Sequence, residues 1–533
     1  MTDGEYDYII VGGGSSGCVV ASRLSEDPNV RVLLLEEGPT DKIFYVRAPA
    51  GFFKLLGSKR SQVYATESQP NARGRTLYVP QGRVLGGGSS INAMAYIRGD
   101  RADYDGWRDN GCPGWGWDDM LPYFKKQEAN QRLSTPLHGT TGPIKVSDPP
   151  SHHTFSDAVV RAAQEIGIPY SGDFNGTSQL GTGFYQATMG GGERSSSASG
   201  YLWPALQRSK NLTLRLNSQV TRVIFNGRRA TGVNVRAEGG GEITLSAKRG
   251  VVVTAGALAT PKILMLSGVG PAAHLAKMGI PLVYDAPDVG GNFHDHLMVP
   301  TFAQTKQPIS YAGEEKGLRA IRNYLQWRLF RTGPLTSNGA ECGGFVDTNG
   351  DGRADLQLIC SPLLMGDVDR APLPGHGITL NAQYLRPKSR GMVRLRSPND
   401  HDPIMFHANY LSEQQDVDTL VSGVKLARKL LRAPSLAAIV SAELKPGPQD
   451  NISDSAIEDH VRTYAMTVYH PVGTCRMGSD DRSVVTPELA VRGLENFYIG
   501  DSSVMPSIPS GNTNATTVVI GERCAEFIMN SRA

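Results

Sequence analysis

Cysteine is scarce and scattered. The six residues Cys18, Cys112, Cys342, Cys360, Cys475 and Cys524 form no CxxC and no paired spacing, which argues against a zinc site or a disulfide framework and for a reducing compartment. No run of Lys or Arg accompanies the small net charge of +3, so nucleic acid is not an expected partner. Long apolar runs are missing too. The longest, such as YIIV and VLLL, fall far short of the ~20 residues of a membrane span, so no transmembrane segment is expected. The polar, acidic stretch after Met1, TDGEYD, leaves no room for a secretory leader before the first strand. The expectation is a cytoplasmic protein, with peripheral membrane association left open. No internal repeat or low-complexity linker is visible.

What the chain does have is length and glycine. Its 533 residues exceed one simple core and predict two domains, with interleaving left open. The 40% hydrophobic content and 61 glycines describe a globular, loop-rich, enzyme-like chain rather than a disordered or fibrous one. From Tyr8 the sequence reads YIIVGGGSSGCVVASRLSEDPNVRVLLLEEGP. This is a strand (Tyr8 to Val11), the glycines Gly12, Gly14 and Gly17, a helix with Val19, Val20 and Leu24 on its apolar face, and a strand (Val30 to Leu35) ending at Glu36. Gly12 permits a tight turn, Gly14 admits a pyrophosphate to the backbone, and Gly17 lets helix and strand approach. Glu36, 24 residues after Gly12, is placed to accept hydrogen bonds from a ribose diol. An adenine dinucleotide is predicted. Ser15 and Ser16 lie in the same turn, where the helix N-terminus faces the phosphates. A second loop, GRVLGGGSSINA (Gly82 to Ala93), sets Gly87, Gly88, Ser89 and Asn92 where backbone N–H and side-chain groups can meet an anion or flavin edge atoms.

These two blocks, with GALATPKILMLSGVGP (Gly256 to Pro271), YHPVGTCRMG (Tyr469 to Gly478) and GDSSVMPSIPSGNTNATT (Gly500 to Thr517), resemble the glucose–methanol–choline (GMC) oxidoreductases, FAD enzymes that oxidise alcohols. The resemblance implies an α/β fold in which a Rossmann-type FAD-binding domain is interleaved with a substrate domain built on an antiparallel sheet flanked by helices. The FAD domain would take residues 1–150, 190–300 and 465–533, and the substrate domain 151–189 and 301–464. ITLNAQYLRP and GMVRLRS read as neighbouring strands of that sheet, joined by a PKSRG turn. By resemblance, Arg83, Ala93, Val220, Ala255, Asp501 and Thr516 join the cofactor set.

Alcohol oxidation needs a base for the O–H proton and a donor for the oxygen while a flavin accepts the hydride. His470, fixed before Pro471, is the expected base. Asn514 is the expected donor, because the 44-residue spacing matches the family's pair, with Asn512 as its competitor. Ile91 follows the paired serines where some choline-oxidising relatives carry a histidine bonded to FAD, so FAD is expected to be non-covalent. Cys475 reads as a small buried residue rather than a nucleophile.

Metal ligation is not expected. His294-Asp295-His296 matches no metal-site spacing, and the loop Asp347–Asp355, although EF-hand-like in its oxygens, has Leu358 where a bidentate carboxylate belongs. Glu341 could attract a cationic substrate, with Tyr324 and Trp327 as an aromatic cage, or be a supporting glutamate. The apolar SPLLMG stretch (Ser361 to Gly366, including Leu363) and Tyr469 suit an aliphatic or aromatic primary alcohol. The electron acceptor, oxygen or quinone, is open, as is the oligomeric state. Alternatives are a flavin-containing lyase or a fatty-acid photodecarboxylase on the same fold, a silent flavin-binding protein, and a choline-specific dehydrogenase.

Overall fold

The computed structural model describes residues 5–236, 241–368, 370–449 and 451–531. Met1 and the first part of the TDGEYD stretch lie outside them. Two seven-stranded sheets organise the chain.

The first sheet begins with the predicted unit. Strand β1 (Glu5–Val11), helix α1 (Gly17–Leu24) and strand β2 (Val32–Leu35) follow in order. Ile9, Ile10, Leu33 and Leu34 are completely buried, as the continuous apolar runs of a sheet covered on both faces require. Strand Leu212–Arg215 runs parallel to β2, and Glu242–Val253 runs parallel to β1. Strand Phe497–Ile499 pairs with the end of Glu242–Val253. The register aligns Val11 with Leu35 and Val253, and Val253 with Ile499. Gly12, Glu36, Thr254 and Gly500 therefore leave the sheet along one carboxyl edge, the edge at which open α/β sheets bind ligands. The meander Val220–Asn226, Arg229–Arg236 and Glu242–Val253 closes the other side with antiparallel pairs.

The second sheet is antiparallel. Its order runs Val440–Lys445, Leu297–Thr305, Gly377–Tyr384, Leu356–Ser361, Cys342–Val346, Gly181–Phe184, with Met466–Thr467 beside Leu297 and Met298. The helix Gln414–Arg432 covers it with Val417, Leu420, Val424, Ala427 and Leu430, and Gly423 lets that helix approach Ala382. The expected pairing of ITLNAQYLRP with GMVRLRS does not form. Both edges of Gly377–Tyr384 are taken by Leu297–Thr305 and Leu356–Ser361, so Met392–Arg394 pairs with Met405–His407 instead. All six cysteines are free and buried. Burial pushes the Cys475 thiol up, which suits packing rather than nucleophilic chemistry.

Candidate active site

The glycines of the first loop are dictated by contact. A Cβ at Gly17 would lie 1.9 Å from the Gly12 carbonyl oxygen, and one at Gly12, whose φ is +103°, would meet Thr254 O at 2.7 Å. The two glycine loops also touch each other: a Cβ at Gly87 (φ +52°) would stand 2.7 Å from Gly14 Cα, and Ser89 N–H donates to Ser15 Oγ at 3.1 Å. Ser16 is buried at the start of α1. Gly12, Gly14, Asn92, Ala93, Ala255, His470, Asn512 and Asn514 remain half-buried and Gly88 exposed, although most flank fully buried residues.

Glu36 accepts from Gly13 N–H (2.8 Å) and Gly38 N–H (2.7 Å). A carboxylate has about four acceptor sites, so two remain for hydroxyl donors. Burial pushes its carboxyl up to about 7 against those two bonds. Asp501 is spent on its own edge, accepting from Gly256 N–H, Thr260 Oγ1 and Ser503 N–H at 2.9, 2.6 and 2.8 Å. It ties the end of strand Phe497–Ile499 to the turn after Val253.

Arg194, not anticipated from the sequence, lies under the second loop and donates to Ser89 O (3.2 Å), Asn92 Oδ1 (2.7 Å) and Val46 O (3.0 Å). Its Nη2 is buried without a partner. Burial lowers it to about 9, so it stays cationic at neutral pH. Its only sequence signal is an arginine between a glycine run and a serine run. The close-approach glycines, the spare acceptor sites of Glu36 and the unpaired Nη2 fit a dinucleotide with phosphates and a polar ring edge.

Other anticipated cofactor residues are engaged elsewhere. Arg83 pairs with Glu37 at the surface (2.7 Å), and Thr516 Oγ1 bonds the Tyr104 hydroxyl at 2.6 Å. Val220 opens its strand in register with Val235. Ala93 offers its carbonyl to Asn338 Nδ2 at 2.7 Å.

The second sheet brings two imidazoles together. Leu297 pairs with Thr467 and Met298 with both Met466 and Gln383. The residues just beyond these strand ends, His296, Val468–His470 and Leu385, consequently converge. His296 Nε2 lies 2.9 Å from Leu385 O and its Nδ1 3.1 Å from His470 Nδ1. A carbonyl only accepts, so His296 carries its proton on Nε2. Its bare Nδ1 then accepts from His470 Nδ1–H, which leaves the lone pair of His470 on Nε2. Burial, then the neighbouring His296, hold His470 well below the ordinary imidazole range, and burial brings His296 down to about 4. Both rings are neutral at pH 7. Asp295 fixes the mount: it accepts from His470 N–H (2.8 Å), the Tyr410 hydroxyl (2.9 Å) and Thr467 Oγ1. Tyr469, at φ +64°, turns the chain between Thr467 and His470 and donates its hydroxyl to Asp367 at 2.8 Å.

The amide brought to His470 is that of Asn512, not Asn514. Asn512 Nδ2 lies 3.4 Å from His470 Nε2, and its carbonyl accepts from Gln357 Nε2 at 3.3 Å, which turns the NH2 toward the imidazole. Asn514, the first residue of the helix Asn514–Asn530, points to the glycine loop and donates to Ser15 Oγ at 2.9 Å.

Glu341 departs from the substrate reading. It is fully buried and accepts from His153 N–H (2.6 Å), Ser156 Oγ (2.8 Å), the Tyr311 hydroxyl (2.7 Å) and Ser337 Oγ. Tyr324 and Trp327 are not among these partners and instead hold Phe44 edge-on. Half-buried Leu363 is anchored through its carbonyl, which accepts from Thr379 Oγ1 at 2.6 Å. The carboxylates of the Asp347–Asp355 loop are engaged: Asp347 accepts from Gly350 and Gly352 N–H and Asp355 from Thr348 within the loop, and Asp351 pairs with Arg386 outside it. His294 Nδ1 bonds Asn292 O at 2.7 Å. No group of three or more metal-ligating side chains occurs among the described residues.

Over 532 residues the chain is 43% identical to the alcohol dehydrogenase [acceptor] of Pseudomonas putida, covering 98% of this chain and 96% of that one. It is 39% identical to the mitochondrial choline dehydrogenase of Mus musculus, covering 98% and 89%. Among solved structures, pyridoxine 4-oxidase from Mesorbium loti superposes with a TM-score of 0.89 at 29% identity over 98% of both chains. Aspergillus oryzae RIB40 formate oxidase, in a structure addressing FAD modification, superposes with a TM-score of 0.91 at 27% identity over 100% and 99%. Two family models described as GMC oxidoreductase match residues 6–298 and 387–521, and the chain belongs to the GMC oxidoreductases, a family of flavin-dependent enzymes.

Proposed function

We propose that the enzyme oxidises an uncharged primary alcohol to the aldehyde, with His470 as base and Asn512 as the donor that holds the substrate oxygen. The juxtaposition of a bare imidazole nitrogen and an amide N–H, 3.4 Å apart, carries this reading. An alcohol oxygen facing both nitrogens from one side accepts from Asn512 Nδ2–H and donates its own hydrogen to His470 Nε2. As the proton moves, negative charge grows on the oxygen and the Asn512 N–H stabilises it. His296 and Leu385 O keep the His470 proton on the far nitrogen, so the near one is ready without a tautomer change. The two glycine loops, Glu36 and the Asn514–Ser15 pair would hold FAD without a covalent bond, and the bound flavin would supply the acceptor for the hydride. In this reading the parallel sheet's half of the chain holds the cofactor and the antiparallel sheet's half the alcohol.

Glu341 is fully buried and enclosed by the groups that donate to it, so its carboxylate offers no open face for contact with a quaternary ammonium, which favours an uncharged substrate over choline. The test is anaerobic mixing of the FAD-loaded enzyme with aliphatic alcohols, aromatic alcohols and choline, followed through the flavin's visible band, then admission of air to separate oxygen from quinone as acceptor. Primary alcohols are expected to bleach the band. His470→Ala should retain FAD and bleach roughly 100- to 10,000-fold more slowly. An unchanged rate in that variant removes His470 from the mechanism.

A further inference from the structure

The helix Gly317–Phe330 is apolar on the wrong side. Its inward face is short, with Asn323 and Trp327 buried and Trp327 Nε1 donating to Gly192 O at 2.9 Å. Leu318, Ile321, Leu325 and Leu329, spaced three, four and four residues apart, form a continuous stripe on the outward face. They are 84, 57, 48 and 67% exposed, and Phe330 beside them is 71% exposed. Scattered surface leucines need no explanation, but a contiguous stripe of this kind marks a contact surface. No helix among the described residues is long and apolar enough to cross a membrane, so the stripe does not belong to a span.

Charge selects the occupant. Between Glu314 and Arg331 the chain carries five cations, Lys316, Arg319, Arg322, Arg328 and Arg331, against Glu314 and Glu315. Helical geometry sets Arg322 and Arg328 on opposite flanks of the stripe. Arg319 and Arg322 share Glu314, and Arg331 pairs with Glu193. Arg328 has no ion-pair partner among the described residues. A second copy of this face would set cations against cations. An apolar stripe with basic flanks matches the interface of an anionic bilayer, where leucines enter the acyl boundary and arginines meet the headgroups. Half-exposed Tyr324 and Tyr45, linked through Phe44, stand beside the stripe as amphipathic rings do at such an interface.

We propose that the Gly317–Phe330 helix lies flat on anionic lipid bilayers and docks the enzyme there. The loop that leaves it reaches the cofactor side, where Asn338 Nδ2 donates to the Ala93 carbonyl at 2.7 Å. The FAD-loaded enzyme should float at low salt with vesicles of equal parts phosphatidylcholine and phosphatidylglycerol, and not with phosphatidylcholine alone. Arg328→Gln should weaken binding about fivefold. Leu325→Glu/Leu329→Glu should weaken it at least about tenfold, with flavin content and turnover of a water-soluble alcohol unchanged. Failure of the wild-type enzyme to float with anionic vesicles overturns the proposal, as does equal flotation of the double variant. A solution dimer that the double variant splits assigns the stripe to a second copy and overturns it as well.

Discussion

His470 can act as a base only if the nitrogen beside Asn512 is the bare one, and a chain of two hydrogen bonds decides which nitrogen that is. Leu385 O accepts from His296, His296 accepts from His470, and the lone pair is left beside Asn512. The competing assignment of Asn514 separates cleanly by experiment. Asn512→Ala should keep FAD and lower the rate of flavin reduction by about 100- to 1,000-fold, the usual loss of one donor to a developing oxyanion. Asn514→Ala, which removes the bond to Ser15, should instead weaken FAD retention while the FAD-loaded fraction reduces at near wild-type rate. Rapid-mixing kinetics together with the flavin-to-protein absorbance ratio separate the two. The reverse pattern would return the donor role to Asn514. Spacing along the chain could not decide this, because the two asparagines straddle the entry to a helix. One lies in the loop before Thr513 and the other is the first helical residue, so their side chains diverge.

At the scale of elements, what is legible in the sequence is local, and what is not is contact between distant segments. The β1, α1 and β2 unit follows from two apolar runs, three glycines and a terminal acid, because those glycines answer to short-range geometry. Gly17→Ala would drive a Cβ to 1.9 Å from Gly12 O and 2.6 Å from Thr254 Oγ1, and backbone cannot yield as a flexible side chain does. This substitution should cost roughly 3 kcal/mol or more and reduce bound FAD. Gly106→Ala, in the helix Arg101–Asp109 with nothing within 4 Å, should add up to about 1 kcal/mol by helix propensity. Melting temperatures and flavin content of the purified variants check both, and equal retention of FAD by Gly17→Ala would refute the close-packing account. Glu341, by contrast, is illegible in the sequence because its four donors come from residues 153, 156, 311 and 337. No local pattern announces such a cluster. The partner of Met392–Arg394 is hidden for a similar reason, since the edges of Gly377–Tyr384 are filled by strands from elsewhere in the chain.

For the whole molecule, placing imidazoles inside the protein contributes a loss of stability toward acid. Burial lowers His294 to about 3 and His296 and His460 to about 4, and drives His470 lower than its ordinary value as well. Each is neutral in the folded chain and, once unfolded, gains a proton below about 6.5. The unfolded state then binds more protons, so stability falls as pH drops from about 6.5 toward about 4, by about 1.4 kcal/mol per pH unit for each such group. Buried carboxyls tilt the other way: Glu36, pushed up to about 7, and Asp295, up to about 6, hold protons in the folded chain that they release on unfolding. The net slope mixes both signs, and one histidine outside the site isolates its own share. His460 donates to Pro300 O at 2.8 Å and stacks on Tyr464. A glutamine amide at the same position can make that bond without titrating. The melting temperature of His460→Gln should therefore fall less steeply than that of the wild-type enzyme between pH 6.5 and 5, so that the two curves converge or cross on the acid side. Parallel curves through that window would mean that His460 is not held neutral by the fold.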